Sequence, residues 1–334
     1  MMTEDYLKIK AQGVFAAGGI VQTASGTFDP IKGQMADDGQ IRHSYHASIF
    51  YQIPADGNGK AITFLAGYGQ SKNGWMSTPD GRDGFSNLFL KKGYGVYLAD
   101  QPRRGAAGQS SVPVEISAKP DDLNWFTQFR MGLWPKFMSN SQFPQDEQSI
   151  DQFFRQMTPD TGKIDFQVIT QALVASLEKS GPSVLMTHSQ GGVPGWMIGA
   201  ASDNVTGIIA IEPGSFFFPE NEVPAKIDTK YPMPVQGVGV PMATFNKLIQ
   251  KPIVVYYGDN IPDEPSEVPA WDFWRGVKQQ AHQFADVVNA HGGDATIVYL
   301  PDEDIHGNDH FMFQDLNNAV IADHMAAWLV SHKL

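Results

Sequence analysis

The sequence predicts an α/β fold, a mainly parallel sheet flanked by helices, and three observations point to it. Short apolar runs alternate with longer helix-like stretches along most of the 334 residues. Hydrophobic residues make up 42% and charged residues 18% of the chain, enough for a large core and against global disorder. A buried-strand pattern at 184–187 runs through a turn of small residues into a helix start at Pro194.

Taken in order, the stretches 13–23 and 46–53 read as an antiparallel lead-in to the sheet. The runs 61–66, 95–99, 183–187, 205–211, 253–257 and 296–300 are rich in Val, Ile, Leu and aromatic residues, as expected of strands buried on both faces. Residues 164–178 read as a helix stopped by Gly181-Pro182. Trp271, Trp274, Val277, Ala281, Phe284 and Val288 recur at helical spacing after Pro269, and Val320, Ile321, Met325, Trp328 and Leu329 mark a final helix. Two connections, 103–163 and 213–251, are far longer than ordinary loops and too aromatic for disorder. They are expected to be lid insertions on a single domain spanning 1–334, over the carboxyl edge of the sheet. Trp125, Trp134, Phe137 and Phe216 are the candidate substrate-lining residues within them.

Bulk composition excludes several classes of function. The 24 Lys and Arg against 36 Asp and Glu give a formal charge of −12, which disfavours nucleic acid and anionic membrane surfaces as partners. There is no cysteine, so disulfides, thiolate metal ligands and a cysteine nucleophile are excluded together. No clustered His, Asp and Glu pattern calls for a metal, and no cofactor is expected. The polar N-terminus and the lack of any apolar run of membrane-spanning length point to a cytoplasmic location. A homodimer is left open.

The sharpest local signal is Val184-Leu185-Met186-Thr187-His188-Ser189-Gln190-Gly191-Gly192-Val193-Pro194. A serine on a cramped strand-to-helix turn stands clear of the sheet and is free to act as a nucleophile. Gly191 provides the small neighbour on one side, whereas Thr187 stands where glycine is commoner on the other. The bland alternative, a serine serving only as a helix cap, does not explain the buried strand before it. A serine needs an imidazole to take its proton, and His306 and His310 both lie in the polar loop ahead of the last helix. The imidazole needs a carboxylate, and two strand ends offer one, Glu212 before Pro213-Gly214 and Asp259 after Gly258. Spacing alone separates neither pair.

These features together resemble the α/β-hydrolase superfamily, and more narrowly a group of microbial esterases whose triad acid is a glutamate at the end of the sixth strand. The resemblance rests on Pro79-Asp80-Gly81-Arg82-Asp83-Gly84-Phe85, Lys92-Gly93-Tyr94, Asp100-Gln101-Pro102-Arg103-Arg104-Gly105, His188-Ser189-Gln190, Glu212-Pro213-Gly214, and Gly307-Asn308-Asp309-His310 followed by Asp315-Leu316-Asn317-Asn318. It implies Ser189, His310 and Glu212 as the triad, with His306 and Asp259 set aside. It also implies an oxyanion hole from the backbone N–H groups of Gln190 and Tyr68, although the family usually has His-Gly where this chain has Ala66-Gly67. The expected function is hydrolysis of small carboxylic esters, hydrophobic or aromatic ones or lactones, through an acyl-enzyme. Carbon–carbon hydrolysis, lyase or perhydrolase chemistry on the same scaffold is the main alternative, and a non-catalytic ligand-binding protein the more distant one.

Overall fold

The computed structural model describes residues 6–116 and 118–334. Twelve strands occur, β1 (Ile9–Thr23), β2 (Ile41–Pro54), β3 (Ala61–Leu65), β4 (Gly95–Asp100), β5 (Gly132–Leu133), β6 (Lys136–Phe137), β7 (Ser183–His188), β8 (Val205–Ile211), β9 (Phe217–Pro219), β10 (Val238–Val240), β11 (Ile253–Tyr257) and β12 (Ala295–Tyr299), among the described residues. The helices are α1 (Phe85–Lys91), α2 (Asp122–Gln128), α3 (Glu147–Arg155), α4 (Phe166–Ser180), α5 (Gly192–Ala201), α6 (Met242–Leu248), α7 (Pro269–Ala290) and α8 (Asn318–Ser331).

Eight strands form one sheet in the order β1-β2-β4-β3-β7-β8-β11-β12. β1 with β2 and β2 with β4 run antiparallel, and every later pairing is parallel. The lead-in is therefore real but longer than the sequence pattern implied, because β1 and β2 pair from Ile9 to Thr23.

The strands sort their side chains by alternation. Leu185, Ile208, Ala210, Val255 and Tyr257 face a core closed by Leu173 of α4, Trp196 of α5, Phe245 of α6 and Phe284 of α7. Val184, Met186, Ile209, Ile211, Val254 and Tyr256 face the opposite core, closed by Phe89 of α1 and Met325 of α8 together with Phe126 and Phe153 from the 103–163 connection. Strands buried on both sides have no polar face, which is why they appear in the sequence as unbroken apolar runs.

α4 starts two residues later than its periodicity suggested, because the Asp165 side chain accepts hydrogen bonds from the Gln167 and Val168 amides and caps it there. The 103–163 connection carries its own short helices, α2 and α3. It is tied down by α7, since the indole N–H groups of Trp271 and Trp274 donate to the Thr127 and Gln128 carbonyls at the end of α2.

Candidate active site

The ends of β3, β7 and β8 and the loop after β12 meet at the carboxyl edge of the sheet, where open α/β sheets form their clefts. Ser189 follows β7 directly. Its φ of 52° lies in the left-handed region that a side chain avoids unless the surroundings impose it. The surroundings here are tight. A Cβ on Gly191 would stand 2.8 Å from the Ala66 carbonyl oxygen, and one on Gly67 would stand 2.8 Å from the Ser189 Cβ. Thr187 is accommodated from the far side, because a Cβ on Gly195 would meet its methyl at 2.7 Å. The glycine missing before the serine is thus supplied by Gly195, in the first turn of α5.

His310 and Glu212 come together from 98 residues apart, with His310 Nδ1 at 2.7 Å from Glu212 Oε2. Burial alone would push the Glu212 carboxyl up, but the Arg130 guanidinium and His310 outweigh it and hold it down at about 2. An ionised carboxylate only accepts, so Nδ1 of His310 carries the proton and Nε2 is left with its lone pair. That Nε2 is buried and has no hydrogen-bond partner; Ser189 does not reach it in this conformation. Burial lowers the His310 pKa, and Arg130 lowers it further, against the opposing pull of Glu212. The ring is held flat against Phe129, with centroids 5.4 Å apart and an interplanar angle of 8°, and Trp274 lies 4.6 Å away.

His188, next to the serine in the chain, bonds to the loop of His310. Its Nε2–H donates to the His310 carbonyl at 2.9 Å, and burial keeps its pKa well below the ordinary value, so it stays neutral. The same loop is braced by the motifs that carry the family resemblance. Arg82 donates to the carbonyls of Gln314, Asp315 and Leu316, and Asn308 donates to Asp315 and Asn317. Burial pushes the Asp309 carboxyl up to about 7 and that of Asp315 well above its usual range.

The other candidate pair lies apart from this arrangement. Asp259 accepts from the Gly307 amide and the Asn140 side chain, and His306 Nδ1 is 3.6 Å from its Oδ2, with the His306 side chain 58% exposed. They organise the rim of the loop.

Known esterases and lipases resemble the chain over most of its length. No model of a known protein family matches the sequence. A probable secreted lipase, phiG, of Fungal sp. (strain ATCC 74256) is 30% identical over 306 residues, 80% of this chain and 81% of the relative. A bacterial esterase whose structure was solved at atomic resolution is 26% identical, with a TM-score of 0.78 and 98% of each chain covered. The chain belongs to the α/β-hydrolase family of esterases and lipases. It is a carboxylic ester hydrolase. The relative's name includes secretion, which does not match the cytoplasmic location expected from the N-terminus. Among the described residues no helix is long and apolar enough to cross a membrane.

This α/β-hydrolase holds two buried arginines at the site whose roles the sequence did not reveal. Arg130, fully buried with φ 61°, donates through Nη1 to Glu212 Oε2 at 2.8 Å and through Nη2 to Oε1. The Gly258 amide completes the set around Oε1 at 2.7 Å. The desolvation of Glu212 is offset by a bidentate guanidinium as well as by the histidine. The available signal was one charge inside the aromatic stretch Phe129-Arg130-Met131, but its partner lies 82 residues away. Arg104 is the second. It pairs with Asp160 through Nε and Nη2 at 2.8 and 2.9 Å, and it also bonds Gly67 and Gln190.

Of the four aromatic residues expected to line the substrate cavity, Trp125 is the one beside Tyr68, with ring centroids 4.8 Å apart. Both border a cavity of about 460 Å³ together with Met157 and Pro159 and the acidic residues Glu115, Asp121, Asp122 and Asp160. Trp134 and Phe137 pack on Phe126, a layer away from Tyr68. Phe216 is a correction. It is fully buried between Trp196 and Phe284 in the core on the α5 and α7 side, so no substrate meets it.

Proposed function

We propose that the enzyme hydrolyses hydrophobic or aromatic carboxylic esters, lactones among them, through an acyl-enzyme on Ser189, with His310 as general base and Glu212 as the acid that orients it. The observation that carries this reading is the 2.7 Å contact of Glu212 Oε2 with His310 Nδ1, with the opposite ring nitrogen, Nε2, buried and unpaired. A lowered Glu212 pKa and a lowered His310 pKa favour the carboxylate beside a neutral imidazole. In the first half-reaction the Ser189 hydroxyl rotates onto Nε2 and gives up its proton as its oxygen attacks the ester carbonyl. The Tyr68 and Gln190 amides stabilise the oxyanion, and the imidazolium returns the proton to the leaving alcohol. Water repeats both steps on the acyl-enzyme and frees the acid.

The 103–163 segment acts as the lid in this proposal. Trp125 stacks beside Tyr68 and gives the side of the cavity next to the proposed oxyanion donor an aromatic wall, and an apolar acyl or alcohol group is proposed to lie against it.

A fluorophosphonate tests the nucleophile directly. The expected result is one adduct, on Ser189 by peptide mass spectrometry, and a Ser189→Ala variant that takes up no label and loses roughly 10⁵- to 10⁶-fold in turnover. Labelling of another serine, or residual turnover within tenfold of the parent, overturns the assignment.

A further inference from the structure

We infer that Arg104 is the positioning residue of the oxyanion hole, aiming the Tyr68 amide from behind and gripping the side chain of the residue that carries the other donor, and that Asp160 holds Arg104 in place. The inference rests on the proposed triad and on the Tyr68 amide as a donor. It goes beyond them in assigning a role to a side chain that never meets the substrate.

The geometry turns on one peptide unit. Arg104 Nη1 donates to the carbonyl oxygen of Gly67 at 2.5 Å, and the Gln70 amide donates to the same oxygen at 3.3 Å. A trans peptide is planar, with its C=O and the following N–H pointing in opposite directions. Fixing the Gly67 oxygen toward the guanidinium therefore fixes the Tyr68 N–H toward the opposite side. Gly67 itself packs against the serine, since a Cβ on it would stand 2.8 Å from Ser189 Cβ, and in this inference the side opposite the guanidinium is the one that faces the reacting carbonyl. Among the described residues no acceptor takes the Tyr68 N–H.

The same guanidinium reaches the second donor. Arg104 Nη2 lies 3.1 Å from Oε1 of Gln190, the residue whose backbone N–H is the other arm of the hole. One planar group thus ties the β3 loop to the turn that carries the nucleophile. Arg104 is 1% exposed and bidentate to Asp160, so its orientation is not shared with solvent. A buried cation on a carbonyl oxygen also polarises the peptide and strengthens its N–H as a donor. A lysine, with a single charged point and no fork, reproduces only part of this.

The prediction separates transition-state binding from ground-state binding and from folding. Wild type, Arg104→Lys and Asp160→Asn are compared on 4-nitrophenyl butyrate, with active molecules counted by the end-point incorporation of a fluorophosphonate on Ser189. Removing an oxyanion donor costs about 10²–10³ in kcat, so misaiming one in Arg104→Lys lowers kcat per labelled site by roughly 10- to 100-fold with KM within about threefold. Asp160→Asn lowers kcat in the same manner by a smaller factor. Ki for a butyryl trifluoromethyl ketone, which forms the tetrahedral adduct, rises in parallel with the loss in kcat.

An unchanged kcat per labelled site in both variants overturns the inference, because any lost activity then comes from fewer folded molecules. A rise in KM equal to the whole loss in kcat/KM overturns it as well. Failure of the underlying reading has a different signature: wild type takes up no label on Ser189.

Discussion

The two long connections look alike in the sequence and do different things. Both are aromatic and both leave the sheet at its carboxyl edge. The 103–163 segment sends two buried guanidiniums inward, Arg104 to the β3 loop and Arg130 to Glu212, and sets Trp125 against Tyr68. The 213–251 segment sends Phe216 and Phe218 into the core against Phe284, and its helix α6 packs on α5. It also borders a groove of about 1070 Å³ with Phe166, Val193 and Met197. Ser189, Glu212 and His310 line neither that groove nor the smaller cavity beside Tyr68, and only the smaller one reaches the proposed oxyanion donor. Aromatic content reports that a segment is buried, whereas the polar residues it buries report what it is for.

Two substitutions sharpen that contrast. The larger effect is expected from Arg130→Gln. Leaving Glu212 without its guanidinium should cost about 3–5 kcal/mol of stability in denaturant unfolding. It should also move the pH profile. The Arg130 charge helps lower the His310 pKa, so its loss raises that pKa and the acid limb of kcat/KM shifts to higher pH. A limb that stays in place or moves to lower pH would separate Arg130 from the site.

Phe216→Ala should also cost about 3–5 kcal/mol, but only as stability, through the cavity it leaves between Trp196 and Phe284. Turnover per folded molecule, counted by active-site titration, should stay within about twofold. If kcat falls instead with the melting temperature unchanged, the second connection belongs to the site and the contrast between the two segments is lost.

What the sequence disclosed follows from how far each signal reaches. The central strands were legible because burial on both faces writes an uninterrupted apolar run, and β8 and β11 end where their runs end. The serine turn was legible because it is local, Ser189 to Pro194 in one stretch. α2 and α3 were not, since at 7 and 9 residues each is too short for its pattern to stand out within a long connection. Residue pattern alone left the choice between Glu212 and Asp259 open, and only the family resemblance favoured Glu212. Residue pattern shows a carboxylate at a strand end, and only the folded chain shows that Arg130 and His310 meet one and Gly307 and His306 the other. The exchange of a small residue between Thr187 and Gly195 was hidden too, because contact across a strand–helix corner leaves no periodic mark.

The central claim is that Glu212 holds His310 ready for Ser189. Its most direct measurement is kcat/KM of Glu212→Gln beside Asp259→Asn, each corrected for the fraction of folded protein. The account predicts a loss of roughly 10⁴-fold for the glutamate, by analogy with the triad aspartate of serine proteases, and less than about tenfold for the aspartate. A larger loss from Asp259→Asn than from Glu212→Gln would contradict it.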